Sequence, residues 1–428
     1  MQVLVLGGNG FIGGHVVAAL LKRGMRVRVA MRHPPDNPLP DERLTWLRVD
    51  LARDTEAMVW LPRLAGIDAV VNCAGILQQR AGQPIDAVHH RGPAALFQAC
   101  ERAGVRRVVH ISAISARPDA ATAYAESKCV GDAALAATGL DWVILKPSLV
   151  HGAGGYGGTA LMRALALFPF VMPLVGDGTA AFNPIHAEDL AEDIADLVES
   201  PRVSRRVLEP MGPERVSLAE ILRGLRQWLG GKPAPFLRLP LPLVRIACRI
   251  ADRFGGPIST TALAQLLAGN DGDPAPYAAA IGRSPRAFRA SLAETPVPPE
   301  VRWQARAYFT RPLLRGALAL VWLLSGLVGL LLPADTMIAT AAALGLEPAA
   351  ALAAGYGFSA LDLALGLAVL ARWRPGTTAV IQVAVVAGYT LALGIGLPGL
   401  WLDPFGHLLK NATVIAAALA LAAVDHNR

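Results

Sequence analysis

Two stretches hold side chains whose types and spacing could carry proton chemistry. Tyr124-Ala-Glu-Ser-Lys128 sets a phenol and an ammonium one helical turn apart, on one face of a helix. A positive charge so close favours tyrosinate, which lowers a phenol pKa that starts near ~10. Such a Tyr could exchange a proton with a substrate oxygen while a hydride moves at the adjacent carbon. Ser112, which closes the apolar run Arg107-Val-Val-His-Ile, could hold that oxygen by a hydrogen bond.

This chemistry needs a hydride carrier, and the start of the chain offers it a seat. Met1-Gln-Val-Leu-Val-Leu-Gly7-Gly8-Asn9-Gly10-Phe11-Ile12-Gly13 reads as a short buried strand, a glycine turn and a helix running from Phe11 to Leu21. That order delivers a pyrophosphate to a helix N-terminus, where N–H groups and the macrodipole attract anions. The glycines fit Gly7-x-x-Gly10-x-x-Gly13 as well as Gly8-x-Gly10-x-x-Gly13.

A second strand, Arg26–Ala30, runs into Met31-Arg32-His33 with no carboxylate. An acidic residue there would bind the 2′-hydroxyl of NAD, whereas Arg accommodates the 2′-phosphate of NADP. The expectation is NADP(H) over NAD(H), with Arg32 as the phosphate contact. A third strand, Leu44–Val49, is closed by Asp50-Leu51, and Asp50 could meet the adenine edge or cap the helix that follows. A fourth, Ile67–Val71, ends in Asn72-Cys73-Ala74-Gly75, and helix signals over Gly92–Ala103 precede the strand before Ser112. Strands alternating with helices predict an α/β, Rossmann-type, doubly wound parallel sheet.

With these residues in view the chain resembles the extended or atypical branch of the short-chain dehydrogenase/reductase superfamily. The matching residues are Gly7-x-x-Gly10-x-x-Gly13, Asp50-Leu51, Asn72-Cys-Ala-Gly75, Ser112, Tyr124-x-x-x-Lys128, Lys146-Pro147-Ser-Leu-Val-His-Gly152 and Phe182-Asn-Pro-Ile-His186-Ala-Glu-Asp189. Within the superfamily the likeness is to the sub-branch that includes the nucleotide-binding accessory subunit of respiratory complex I. The resemblance implies that Tyr124 is the acid/base, that Lys128 holds the nicotinamide ribose and lowers the Tyr pKa, and that Ser112 orients the substrate. It implies a cofactor surface of Gly7, Gly10, Phe11, Ile12, Gly13, Arg32, Asp50, Leu51, Cys73, Ala74, Gly75, Lys128 and Pro147. Lys146 stands where Arg is usual, and Leu6 where Ser or Thr is common; neither change removes a catalytic group.

From Gly152 onward the strand–helix rhythm weakens, and a substrate-binding part is expected there. Gly152–Gly158 reads as a flexible flap, and Phe168–Leu174 as a cleft lining or as core. His186 reads as a structural hydrogen-bonder, and Ser217-Leu-Ala-Glu220 as a capping box. The stretch 240–254 spaces Arg245, Arg249 and Arg253 along one helix face, suited to an anionic membrane surface or simply to solvent.

Beyond Arg311 the composition changes. The whole chain is 53% hydrophobic and only 17% charged, with a formal net charge of +7. Its mean hydropathy of +0.41 is too apolar for an ordinary soluble enzyme. The excess lies in four stretches, Leu313–Leu332, Ala350–Ala371, Thr377–Leu397 and Pro404–Val424, each near the ~20 residues needed to cross ~30 Å of hydrocarbon. Arg311, Arg315, Arg372 and Arg374 alternate with Asp335, Glu347 and Asp403, which predicts four spans with both termini cytoplasmic in an inner (plasma) membrane. The division expected is 1–310 and 311–428.

Leu361-Asp362-Leu-Ala-Leu-Gly366 and His407-Leu-Leu-Lys410-Asn411 resemble DoxX-like membrane modules. Asp362 and Lys410 are expected to meet in the bundle, fixing helix packing or lining a site for a quinone-like or lipid headgroup. His407 has no second ligand at useful spacing, and no metal is expected. Cys73, Cys100, Cys129 and Cys248 show no CxxC spacing, which fits a reducing compartment; Cys73 reads as a small buried filler. The first strand begins too early for a signal peptide, so the N-terminal domain is expected in the cytoplasm. No basic run with interleaved aromatics suggests nucleic acid.

The functional expectation is a membrane-anchored oxidoreductase passing a hydride to or from a carbonyl or alcohol of a small lipophilic or quinone-like substrate, in contact with membrane lipids. Two alternatives stay open: a dinucleotide-binding assembly factor or redox sensor with a membrane-complex partner, and an epimerase or dehydratase.

Overall fold

The computed structural model describes residues 1–38, 41–79, 82–117, 119, 122–155, 157–253, 258–342, 344–404 and 406–425, in two compact units, Met1–Ala305 and Arg306–Arg428. Three residues inside stretches read above, Tyr156, Phe254 and Phe405, lie outside the described residues.

The first unit opens with β1 (Gln2–Leu6), α1 (Phe11–Lys22), β2 (Arg26–Met31) and β3 (Leu44–Arg48). It continues through β4 (Ala69–Asn72), α2 (Gly92–Ala103), β5 (Arg107–Ile111), α3 (Ala123–Ala136) and β6 (Asp141–Leu145), and returns after α4 (Ala187–Glu199) with β7 (Arg206–Leu208). The strands pair in the order β7-β6-β5-β4-β1-β2-β3, every neighbour parallel. The expected Rossmann-type sheet is therefore present.

Helices cover both faces, which is why β4 and β5 are buried along their whole length. Val3, Val5 and Val109 pack with Val16 and Leu20 of α1 and Leu190 and Ile194 of α4. On the other face Leu4, Val70 and Val108 pack with Leu96 and Phe97 of α2 and Leu135 of α3. Each such aliphatic side chain contributes roughly 1.5–3 kcal/mol through burial. The strand order reverses between β1 and β4, so the loops that leave them splay apart and open a crevice at their carboxyl ends.

The rest of this unit is built from short strand pairs and helices: α5 (Leu218–Trp228), α6 (Leu241–Ala251) and α7 (Thr260–Ala268). The capping box forms as read, with Ser217 Oγ accepting from Glu220 N–H at 3.3 Å and Glu220 Oε2 accepting from Ser217 N–H at 2.9 Å. The glycine stretch is not a loose flap. Buried Arg163 donates to the carbonyls of Gly152 (3.0 Å) and Gly155 (2.5 Å) and pins it. The run Phe168–Leu174 divides, with Met172 and Leu174 buried in a strand against Phe236–Leu239 and Phe170 exposed.

In the second unit, three helices among the described residues are long and apolar enough to cross a membrane: α8 (Thr310–Leu331), α10 (Pro348–Ala371) and α11 (Pro375–Gly396). A short helix, α9 (Ala334–Ala342), precedes α10. The fourth apolar stretch is shorter than the sequence suggested. Asp403 is extended, Gly406 takes φ +63°, and α12 begins only at Asn411 and ends at Val424. Fourteen residues span ~21 Å, short of the ~30 Å hydrocarbon core.

The expected Asp362–Lys410 pair does not form. Asp362 faces the bundle interior, where Ser325 of α8 donates to it at 2.7 Å and Tyr389 of α11 at 3.5 Å. Lys410 lies in the turn before α12 and is exposed, because the helix that would have carried it inward starts one residue later. Asn411 instead donates to Thr390 of α11 at 2.8 Å, and His407 pairs with Asp403 at 2.8 Å.

Candidate functional site

The crevice between β1 and β4 is lined by the loops the sequence singled out. Gly7 N–H donates to Ala30 O of β2 at 3.0 Å, and Gly10 N–H to Gly7 O at 2.8 Å, which folds the turn tightly. Two of its glycines are required by close approach. A Cβ on Gly7, at φ +68°, would stand 3.0 Å from the Ala74 backbone, and one on Gly13 would stand 2.1 Å from Gly7 O. Gly10 is the N-cap of α1, no side chain caps the helix, and its first turn holds no acidic residue. Phe11, Ile12 and Gly13 thus form an uncapped helix start facing the crevice, which suits a pyrophosphate.

The other edge of the crevice brings in Asn72 to Gly75. Asn72 Oδ1 accepts from Ala74 N–H at 3.1 Å, and Cys73 N–H donates to Leu6 O at 3.0 Å. Burial pushes the Cys73 thiol up to about 12, so it is a filler and not a thiolate. A Cβ on Gly75 would lie 3.2 Å from Lys128 Nζ, so the Lys side chain ends beneath this loop. Pro147 is buried after β6. Arg32 is exposed two residues beyond the Ala30 carbonyl that anchors Gly7. Asp50 accepts from Ala52 N–H at 3.1 Å and so closes its own turn, with Leu51 buried beside it.

Helix α3 carries the proton chemistry. Thr122 caps it, and Tyr124, Lys128 and Asp132 follow at one-turn intervals. Lys128 is buried and donates to Ile111 O at 2.8 Å. Burial pulls its ammonium down to about 8, against the opposing pull of Asp132 and Cys73.

The Tyr124 phenol moves opposite to the expectation. Burial pushes it up to about 12, and the Asp132 carboxylate adds to the rise. Helical spacing aligned Tyr124 with Lys128, but it could not show that the phenol would be desolvated and would feel a carboxylate as well.

Ser112 also departs from its expected role. It is buried and donates its one proton to Asp132 Oδ2 at 2.8 Å, so that proton is already engaged within the protein. Asp132 further meets Lys146 Nζ at 3.1 Å and His110 Nε2 at 3.5 Å. Burial opposes its charge, but His110, Ser112 and Lys146 together hold the carboxyl below the usual carboxylate range. Along the same loop, the Ser115 hydroxyl is buried with no partner among the described residues.

Sequence reasoning missed His89. It sits in a π-helical turn, Ala87–Arg91, of the kind that recurs at functional sites. Burial takes His89 down to about 2, so the ring is neutral. Its Nε2 accepts from Ile76 N–H at 3.0 Å, which leaves the proton on Nδ1 to be donated to Ser127 Oγ at 2.8 Å. The ring also meets Tyr124 edge-on at 5.5 Å. His89 therefore ties the loop after Gly75 to the helix bearing Tyr124. His186, in contrast, is structural: its Nδ1 accepts from Glu188 N–H and Arg286 at the start of α4.

Residues 3–207 match the NAD dependent epimerase/dehydratase family, and residues 319–419 match the DoxX-like family. The first match covers the sheet of the first unit and the second match most of the apolar helices. The glycine-turn crevice described above falls within residues 3–207, and the apolar helices α8, α10 and α11 lie within or across residues 319–419.

Among similar proteins, the ceramide reductase of Caulobacter vibrioides is 29% identical over 260 residues, covering 60% of this chain and 80% of that protein. The 3 beta-hydroxysteroid dehydrogenase/Delta 5-->4-isomerase of Mycobacterium tuberculosis is 29% identical over 294 residues, covering 60% and 78%. The first unit also shares its fold with MoeE5, solved with UDP-glucose and NAD, at a TM-score of 0.54 and 22% identity, covering 72% of this chain and all of that one.

Proposed function

We propose that the protein is a membrane-anchored reductase that delivers a hydride from NADPH to a carbonyl on a lipophilic substrate at the cytoplasmic face of an inner membrane. The observation that carries this reading is the placement of Tyr124 and Lys128 one turn apart on α3, with Lys128 ending beneath the Gly75 loop of the nucleotide crevice. When bound in that crevice, the dinucleotide supplies the hydride. Gly7, Gly10 and Gly13 make room for its pyrophosphate at the start of α1, and Lys128 donates to its ribose. Tyr124 keeps its proton at neutral pH, as an ordinary phenol does, and its raised pKa of about 12 extends that to higher pH. It is thus poised to donate that proton to a carbonyl oxygen as the carbon becomes an alcohol. The lipophilic substrate is supported by the DoxX-like domain and by relatives named for ceramide and steroid chemistry.

The test is to supply full-length protein in detergent with NADPH and a panel of ketosteroids and long-chain ketones. Oxidation of NADPH with matching alcohol formation is the expected result, and no turnover of any ketone would reject the reading. A second reading, a nucleotide holder without turnover, is favoured by one specific observation: the Ser112 proton is committed to Asp132.

The assignment of NADPH rests on Arg32. An Arg–phosphate contact is worth a charge-assisted hydrogen bond of roughly 1.5–3 kcal/mol, so Arg32→Ala should weaken NADPH binding by about tenfold or more. NADH binding should be unchanged, and calorimetric titration of both nucleotides decides the matter. A second expectation follows from Lys128, whose folded pKa lies near 8 and not at an ordinary 10.5. The ammonium is intact below pH 8 and is lost as pH rises through it. Dinucleotide affinity should therefore be flat below pH 8 and fall above it, and Lys128→Arg, which stays charged, should flatten the profile.

A further inference from the structure

Helix α6 is oddly clothed for the surface of a soluble domain. It buries only Cys248, while Leu243, Ile246 and Ile250 are 62%, 53% and 51% exposed. Their i, i+3, i+7 spacing puts them on one stripe. Arg245 and Arg249, both exposed, run beside that stripe. Single exposed aliphatics are ordinary, but an aligned row of them edged by cations is what an interfacial helix presents to lipid.

Three hydrogen bonds fix where this helix and its neighbour α7 lie within their own unit. Asp252, the C-cap of α6, accepts from Gln78 in the loop after Gly75 at 3.4 Å. Asp252 also accepts from Thr260 at the start of α7, at 2.8 Å to the hydroxyl. Gln265 of α7 then donates to Thr122 Oγ1 at 3.3 Å, and Thr122 is the N-cap that precedes Tyr124. The α6–α7 pair therefore borders the crevice on the side of the Tyr124 phenol.

We propose that α6 is a bilayer-docking helix. Its aliphatic stripe enters the headgroup–acyl boundary, Arg245 and Arg249 sit on anionic phospholipid headgroups, and the mouth of the crevice is brought to the membrane surface. The choice of lipid over another occupant follows from charge complementarity and from the chain itself, which carries three apolar helices of membrane-crossing length. The docking stands independently of the reaction. Its purpose, to let a lipophilic substrate pass from the bilayer to Tyr124, rests on the function proposed above.

The experiment uses the full chain in nanodiscs of phosphatidylcholine with or without phosphatidylglycerol, and follows hydrogen exchange over 243–251. Two arginines at an anionic surface should slow exchange by roughly tenfold or more when phosphatidylglycerol is present. Arg245→Glu with Arg249→Glu should abolish that difference with nucleotide binding intact, and Ile246→Ser with Ile250→Ser should reduce it. Exchange that ignores lipid composition, or protection that follows protein concentration (a second copy covering the stripe), would overturn the docking. If the charge-reversed variant loses protection yet reduces bilayer-embedded ketones as well as the parent, docking stands and substrate passage falls. A parent that reduces no ketone at all rejects the reaction alone, because the exchange result does not depend on turnover.

Discussion

Tyr124→Phe should cut ketone reduction by about a thousandfold, the range expected when a positioned general acid is removed. Dinucleotide affinity should stay within about twofold, since the phenol is not asked to hold the cofactor. The variant removes one oxygen and keeps the ring, so the edge-on contact with His89 at 5.5 Å survives and α3 has no reason to move. The loss should fall on kcat, because the proton is needed only as the carbonyl becomes an alkoxide.

The raised phenol pKa, about 12, bears on direction. A Tyr that is protonated at neutral pH can donate at once to a ketone, whereas alcohol oxidation would require the phenolate. With dinucleotide held saturating, so that the loss of the Lys128 charge above pH 8 does not limit binding, reduction should persist across neutral pH and oxidation should gain as pH rises toward the phenol pKa. Steady-state kinetics of parent and variant in both directions measure both effects. Unaltered activity in Tyr124→Phe would exclude the phenol from the chemistry, and an unaltered cellular phenotype would favour the nucleotide-holding reading.

Local pattern and tertiary context divided the labour unevenly in what could be read beforehand. The glycine turn, the alternation of strands with helices and the Ser217–Glu220 capping box were legible, because each is set by residues adjacent in sequence and by hydrophobic period. The spacing of Tyr124 and Lys128 was legible for the same reason. What those groups feel was not.

Asp132 lies on their own helix, yet its charge is kept by Lys146 at the end of β6 and by His110 in β5, which only the sheet brings together. Ser112 gives its proton to that same carboxylate, and no spacing rule could announce it. His89 was missed because the polar run His89-His90-Arg91 gives no sign that a π-helical turn will aim the first ring at the Ile76 amide. In the second unit, hydropathy found the apolar stretches but not the helix boundary at Asn411, which is set by the backbone turn at Gly406. Asp362 found its hydroxyl partners on α8 and α11, not the cation that charge pairing alone would choose.

Gly131→Ala separates local propensity from packing most sharply. On propensity alone this change should stabilise the protein, since Gly in a helix interior costs about 0.5–1 kcal/mol relative to Ala. The structure reverses the sign. Gly131 lies on α3 against the π-helical turn, and a Cβ there would stand 2.1 Å from His89 O and 3.2 Å from its carbonyl carbon. The obstacle is backbone, so no side-chain rotation relieves it, and the two segments must part.

Overpacking of this kind costs up to about 3 kcal/mol, so the net change should be roughly 2 kcal/mol of destabilisation after the propensity gain. For a folding unit of this size that is a fall of roughly 3 °C in Tm, measurable by scanning fluorimetry. Separation of α3 from the turn would also draw Tyr124 and Lys128 away from the Gly75 loop, so turnover should fall more than stability alone explains. Gly158→Ala is the control: its Cβ would meet nothing within 4 Å, and the residue lies in the helix Gly157–Ala166. It should stay within ±0.5 kcal/mol of the parent, as surface substitutions usually do. Equal behaviour of the two variants would mean that α3 and the His89 turn are not in the close contact on which the site's geometry depends.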